Sequence, residues 1–574
     1  MRGLVLTVLL FSSLAYADRR LCGPIIFKEG WISVGANEKI LLCGSSESKD
    51  AWKKIPVAQA QLQLKNLLQR KGYQDPKFEE RGDELWVWAG EQRIVKDIEI
   101  RPRLKELDPN RLRQVLGYPL TSDVLDDVTN WAELELKSQG YACARVKVTA
   151  ELWNNRIVVT ADPGARSRVR SIHWEGHDNL QESVLRRFAA MKEGQLYDVQ
   201  KSQLTTSRLF NEGLFDSVHI QPKCAGENTD IEVRTSVGRP KLLRFGFGAS
   251  TEEYVFTDVS FRNSRLDNRA SAFSTKLHVS PLQQNLEVGS ELYMFPLLDT
   301  AFLGPRFTVG RTSESRYEVN QSKAGIDIGQ YGDWLNARYL VKGGPTLNYV
   351  DTVRGIGPKQ TTYLDWQGAL STHSHLYESR LREQDAGWSG FGHYRGQRDR
   401  VGSTINVDRF EAGIKYLWNM GSYTPPLFVL ALRAQGIAVN VSDDDFSLRR
   451  DQLPVDYRLY WGGDQNLRGF SRQSLHFSKL GYLTGLYGGT ELRLVEVLPY
   501  RLQPFGLFDW GRLGRKRWTL DEDEFISWGG GIRWMSPIGN FRVYAAKGEI
   551  LGETASSLSY QQEWVYFLGF GQEF

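Results

Sequence analysis

Period-two alternation dominates the second half of the chain. Phe273, Thr275, Leu277 and Val279 alternate with Ala272, Ser274, Lys276 and His278. Leu335, Ala337, Tyr339 and Val341 alternate with Asn336, Arg338, Leu340 and Lys342. This pattern predicts strands with one apolar and one polar face. It sets in near Pro240. The stretch before it, from about Asp18 to Arg239, mixes helix-period segments with short strands. Ala60, Leu64, Leu67 and Leu68 share one helical face, and Leu125, Val128, Ala132 and Leu136 share another. Strands are predicted at residues 77–80, 84–88, 98–100, 144–148 and 157–159.

The helical segments end in a glycine followed by an aromatic or Leu-aromatic pair: Gly72-Tyr73, Gly140-Tyr141 and Gly213-Leu214-Phe215. A recurrence of roughly 70 residues marks one structural unit repeated in tandem. The third unit opens with residues 169–176, continues through 194–197 and 209–215, and reaches a strand ending near Ile220. The order strand–helix–helix–strand–strand is similar to the POTRA domain. The implied units span residues 18–90, 91–163 and 164–237. Each would carry an exposed sheet edge able to accept an incoming strand.

Residues 1–17 form a targeting segment. Arg2 supplies the positive end, residues 4–14 an apolar run, and Ala15-Tyr16-Ala17 an A-x-A cleavage signal. Spanning a membrane as a helix takes roughly 20 apolar residues, more than this run offers. The mature chain is expected to start at Asp18 in an oxidising compartment. There Cys22 and Cys43, which flank the first strand-like stretch, can form a disulfide. Cys143 and Cys224 lie in different units, and the spacing leaves their pairing open.

Composition narrows the class. Mean hydropathy is −0.40, yet the chain holds 17 Trp and 55 Gly and is 12% aromatic. After the targeting segment no apolar run reaches membrane-helix length. These features fit a membrane β-barrel whose strands are apolar only on the lipid side. About 338 residues follow from Val237, and at about 21 residues per strand and connection they make about 16 strands. A net charge of +4 is too small to argue for a nucleic-acid partner. There is no Cys-x-x-Cys, His-Glu-x-x-His, Gly-x-Ser-x-Gly, Walker loop or dinucleotide fingerprint. No metal, no cofactor and no catalysis are expected.

The most specific stretch is residues 461–470, WGGDQNLRGF. It resembles the loop of the BamA/TamA superfamily of outer-membrane assembly proteins. In that family an R-G-F/Y segment folds back into the barrel lumen and its arginine pairs with an acid on the wall. Asp509, in GLFDWG, resembles the family's F-x-D-x-G strand motif. Glu491, in GGTELRL, resembles the adjacent strand, and residues 529–539 resemble the next hairpin. The resemblance implies that Arg468, with Gly469 and Phe470, docks on Asp509 with Glu491 nearby. Bidentate pairing would make Lys a poor substitute for Arg468. The last strand, near residues 563–574, puts Trp564, Tyr566, Leu568, Phe570 and Phe574 on one face. It is similar to the terminal signal of outer-membrane proteins, although Gln572 stands where an apolar residue is usual. Gly569 and Gly571 would weaken its packing against the first strand, near residues 243–249, which includes Phe245 and Phe247. The family's lateral gate lies at this seam.

The expected fold is therefore α+β periplasmic POTRA repeats followed by a transmembrane antiparallel β-barrel at residues 238–574. The resemblance implies an outer-membrane insertase or translocase with its N-terminal domains in the periplasm, nearest the TamA type because three repeats are present. It implies unfolded outer-membrane protein clients such as autotransporters, a TamB-like periplasmic partner and contact with outer-membrane lipids. The second reading is a two-partner-type secretion pore for one dedicated exoprotein.

Overall fold

The computed structural model describes residues 19–22, 25–29, 32, 34–43, 57–82, 84–379, 384–399, 402–403, 405–441, 453–475, 481–537, 539–552 and 563–571. The targeting segment, Asp18, Gln572 and Phe574 lie outside the described residues. The chain divides into two compact units, Met1–Arg166 and Ser167–Phe574.

The first compact unit holds two small α+β sheets. One has the strand order Arg19–Cys22, Ile25–Glu29, Glu84–Trp88, Lys77–Arg81. Leu64, Leu67 and Leu68 of the helix Val57–Arg70 pack on Ile25, Phe27, Leu85 and Val87. The helix stops where Gly72 turns to φ +87 and the Tyr73 N–H bonds back to the Leu68 carbonyl at 2.9 Å. The other sheet has the order Asp97–Arg101, Arg156–Asp162, Arg145–Glu151. It carries one α-helix, Ser122–Ser138, capped by the Thr121 hydroxyl. Where the repeat predicts an earlier helix there is only the 3-10 turn Pro109–Arg111. Pro102, Pro109 and Pro119 each remove a backbone donor from that stretch.

The second compact unit opens with a third sheet, ordered Arg168–Glu175, Asn228–Val237, Phe215–Ala225, covered by helices Glu182–Phe188 and Val199–Asn211. The strand expected to end near Ile220 runs to Ala225. The central strand Asn228–Val237 escapes the sequence reading because its polar start, Asn228-Thr229-Asp230, hides the buried Ile231 and Val233. Cys43, Cys143 and Cys224 are all disulfide-bonded.

Sixteen antiparallel strands then form a closed barrel, from Lys241–Ser250 to Trp564–Phe570. Leu277, Val309, Ile328, Leu347, Ile414 and Val543 are among the apolar side chains left exposed on its wall, as a lipid-facing surface requires. The longest hairpin joins Glu318–Trp334 to Ala337–Arg354. Leu335 and Asn336, expected within a strand, are its two-residue turn, with φ +47 and +61 and Trp334 paired to Ala337. The apolar–polar alternation of the sequence continues across these residues, so it gives no sign of the turn. The third sheet is fastened to the near end of the barrel. Arg208 bonds Asp333 at 2.9 Å and Glu378 at 2.6 Å, and Arg187 donates to the Asp299 carbonyl at 2.7 Å.

Within the longest hairpin, a Cβ on Gly344 would lie 1.9 Å from the Ile326 carbonyl oxygen. A backbone neighbour cannot swing away, so the strands would have to part. Gly344→Ala is expected to lower the yield of barrel that migrates differently unboiled and boiled. Gly392→Ala, with nothing within 4 Å of the added carbon, should leave it unchanged. Equal yields would refute this account of the hairpin.

Candidate functional site: the inward loop and the seam

Between the strands Phe428–Val441 and Thr484–Leu494 the chain turns into the lumen. Leu459 bridges to Tyr482 and Trp461 to Leu475, making a narrow hairpin. At its tip the Asn466 side chain accepts from the Gly462 and Leu467 amides, both at 2.9 Å. The Phe470 N–H bonds the Leu467 carbonyl at 3.0 Å, which presents Arg468 to the wall. Gly469 faces Gly548 so closely that a Cβ on either would meet the other's backbone within about 2.6 Å. Leu453, Val455, Tyr457, Leu459, Leu467 and Phe470 pack on wall residues such as Val407, Val439 and Phe525. The lumen thus has an apolar core made by the loop.

Arg468 has no exposed surface. Its Nε donates to Asp509 Oδ2 at 2.9 Å and its Nη2 to Oδ1 at 2.7 Å, a bidentate pair. Nη1 donates to Glu491 Oε2 at 2.7 Å, and Nη2 also reaches the Thr490 carbonyl at 3.2 Å. Asp509 further accepts from the Arg468 N–H, Tyr487 and Ser527. Glu491 is shared with Arg493 at 2.6 Å. Two cations and two carboxylates therefore meet in one buried cluster, the arrangement that offsets the desolvation of each. Gly489 lies opposite Asp509, and a Cβ there would collide with the Tyr487 hydroxyl.

Three more anchors hold the loop, and none was found in the sequence. Asp456 bonds Arg395 at 2.8 Å, and Arg395 also bonds Asp365. Arg472 bonds Glu314 at 2.7 Å and lies 3.4 Å from Glu253. Asp464 pairs with Arg542, accepts from the Tyr544 hydroxyl at 2.9 Å, and donates its N–H to Glu252 at 2.8 Å. Asp464 stands inside the 461–470 stretch without being singled out there, and Asp456 and Arg472 flank that stretch as charged loop residues.

The seam is the other notable region. Among the described residues, the first and last strands share two pairs, Ala249 with Phe570 and Ser250 with Gly569. Other neighbouring strands share seven or more. Phe245 and Phe247 are 73% and 74% exposed. They were expected opposite the end of the last strand, but the register sets Ala249 and Ser250 there. Phe247 only approaches the Phe570 ring, at 5.8 Å between centroids. Gly571 takes φ +81, bonds Asn540 and leaves the ladder. Gly569 does not loosen the packing as expected, because the Phe567 ring fills the place of its missing side chain. Phe574 lies outside the described residues, as does the Cys22 side chain.

Ser171, His173 and Asp230 lie together on the third sheet. The Ser171 hydroxyl contacts both His173, at 3.1 Å, and Asp230, at 2.6 Å. Arg170 holds the Asp230 carboxyl at about 2. A nucleophile activated by a base needs the acid behind the histidine, and here the acid faces the serine. Among the described residues no three metal-ligating side chains converge.

Residues 167–237 match the family model for the POTRA domain, described as a surface antigen variable number repeat. A stretch of 119 residues is 28% identical to the outer membrane protein assembly factor BamA of Neorickettsia risticii. It covers 21% of this chain and only 16% of that relative. Among solved structures, BamA from Haemophilus ducreyi lacking POTRA domains 1–3 is similar at 17% identity and a TM-score of 0.50. That match covers 84% of this chain and 98% of that one. CdiB from Acinetobacter baumannii aligns at 14% identity and a TM-score of 0.46, over 90% of this chain and 96% of that one. The POTRA match, the BamA relative and the BamA-like fold together support the BamA superfamily.

Removing one partner of a buried pair costs about 3–5 kcal/mol because the other charge is stranded. Arg468→Ala, which strands Asp509 and leaves Glu491 to Arg493, is expected to lower the temperature at which the barrel loses its unboiled gel mobility. The effect should exceed that of Arg472→Ala, whose guanidinium is 27% exposed. Equal shifts would refute the lock. A pH effect is expected at Glu252, in the turn beyond the first strand. Burial, then the Asp464 carboxylate, pushes Glu252 up to about 7, against Arg472 and Arg542; Glu253 and Glu314 also face this cluster. A folded-state value raised above the ordinary 4.5 gives stability that is complete below 4.5 and lost as pH rises through about 7. Between pH 5 and 8 the wild-type melting temperature should fall more than that of Glu252→Gln; parallel curves would refute it.

Proposed function

We propose that this chain is an outer-membrane assembly factor of the BamA superfamily, of the TamA type, that inserts or translocates unfolded outer-membrane proteins. Its POTRA-like units lie in the periplasm in this reading, and its barrel contacts the lipids of the outer membrane. The observation that carries it is the seam. Fifteen strand junctions share seven or more pairs each, while the sixteenth has two described pairs and an exposed first strand. A closed barrel removes sheet edges, and a junction this short keeps one within reach of a client strand. The chemistry is non-covalent: backbone pairing replaces backbone pairing. Three sheets ahead of the barrel favour the TamA type, and the exposed edge strand Lys77–Arg81 of the first offers a surface for a TamB-like periplasmic partner.

The secretion-pore reading needs passage through the lumen, where the loop core and the Arg468 cluster stand. Crosslinking separates the two. Cysteines replacing Ala249 and Phe570, paired across the seam, should join on oxidation and abolish client assembly in proteoliposomes. Cysteines at Ala249 and Val255, paired within the first hairpin, should not. Undiminished assembly with the seam fully crosslinked would overturn the reading and favour transport through the lumen.

A further inference from the structure

We propose that Asp464 is a positioning residue that clasps the two sides of the seam together from the lumen. The inference rests on the seam being the working edge and names what holds it shut. The geometry is a short row across three strands. Arg542 pairs in register with Gly569, and Gly569 pairs across the seam with Ser250. Two residues beyond Ser250 is Glu252. Asp464 reaches both ends of this row. Its carboxylate holds Arg542 and accepts from Tyr544 on the strand behind the seam. Its N–H donates to Glu252 in the turn that follows the strand in front of it.

The loop is shaped for this bridge. Gly463, at φ +104, lets the Glu252 carboxylate close against the backbone, where a Cβ would lie 2.8 Å from Glu252 Oε1. Asp464 and Arg542 are both nearly fully buried, so the pair is strong only while the loop is docked. Beside the clasp, the described residues of the seam share few bonds of their own. They are the two residue pairs, the Thr251 N–H to the Leu568 carbonyl at 2.9 Å, and the Leu568 N–H to the Thr251 hydroxyl at 3.3 Å. Separating the strands by a few ångströms requires Asp464 to release Arg542 or Glu252. The state of the loop is therefore coupled to the state of the seam, through contacts separate from those of Arg468.

Hydrogen exchange on the full chain in detergent tests this without any client, so its failure leaves the assembly reading to the crosslinking experiment. Asp464→Ala should speed amide exchange in residues 247–253 and 564–571 by about tenfold, while residues 505–512, which carry Asp509, stay within about twofold of wild type. Glu252→Ala should do the same. The double variant should exceed the larger single effect little, because both substitutions open one clasp. Tyr544→Phe, which deletes one hydroxyl, should give a smaller acceleration confined to the same segments and serves if Asp464→Ala does not fold. Unchanged seam exchange in these variants would overturn the proposal. So would equal acceleration at residues 505–512, since that would mean general loosening of the loop.

Discussion

A guanidinium with no exposure to water keeps its charge, and its burial is costly unless carboxylates meet it. Arg468 is in that position, and Asp509 and Glu491 meet it from two adjacent strands of the wall. The loop is long and its ordering costs conformational entropy. Misplacing Arg468 would part its buried charge from that of Asp509, while Glu491 would keep Arg493. Docking is therefore close to all-or-none, and much of the lumen is organised around it. Tyr487, Ser527 and the absent side chain of Gly489 all serve the same carboxylate.

The need for such a loop follows from the barrel's size. About eight strands enclose a space that wall side chains can fill, whereas sixteen leave a wide lumen. Here Leu453, Val455, Tyr457, Leu459 and Phe470 supply apolar filling that the wall lacks. The anchors run as two acids followed by two bases: Asp456 onto Arg395, Asp464 onto Arg542, Arg468 onto Asp509, Arg472 onto Glu314. Exchanging the contacts of Asp464 and Arg468 would set like charges together. That order favours one placement of a segment with little regular structure of its own.

The parts legible in the sequence were those that repeat or that carry a family signature. Helix faces such as Leu64, Leu67 and Leu68 have a period, and Arg468, Glu491 and Asp509 stand in recognisable surroundings. What was missed depends on partners distant in the chain. Asp456 and Asp464 look like solvated loop acids until Arg395 and Arg542 are brought beside them. The helix expected between the strand Asp97–Arg101 and the helix Ser122–Ser138 failed because a repeat copies length better than it copies local propensity. Leu335 and Asn336 continue the apolar–polar alternation in sequence while forming a turn. The seam register was invisible for a related reason. Glycine content suggested looseness at Gly569, but the ring of Phe567 occupies that space, and the break comes instead where Gly571 turns out of the ladder.

A barrel that must keep one junction open to exchange faces a conflict. Backbone groups left unpaired in lipid are costly, so a short ladder cannot simply be left gaping. Among the described residues the first and last strands share two pairs, and in the proposed clasp side chains inside the lumen supply part of the closure. Backbone pairing between strands is the same for any sequence, and an incoming strand can replace it bond for bond. The contacts of Asp464 with Arg542, Tyr544 and Glu252 are specific to this chain and have no counterpart in an extended peptide. Closure by specific side chains and opening by generic backbone exchange are then separable. With the proposed clasp, the resting barrel can be tight while the barrier to admitting a strand would be set by one loop, not by the length of a β-ladder.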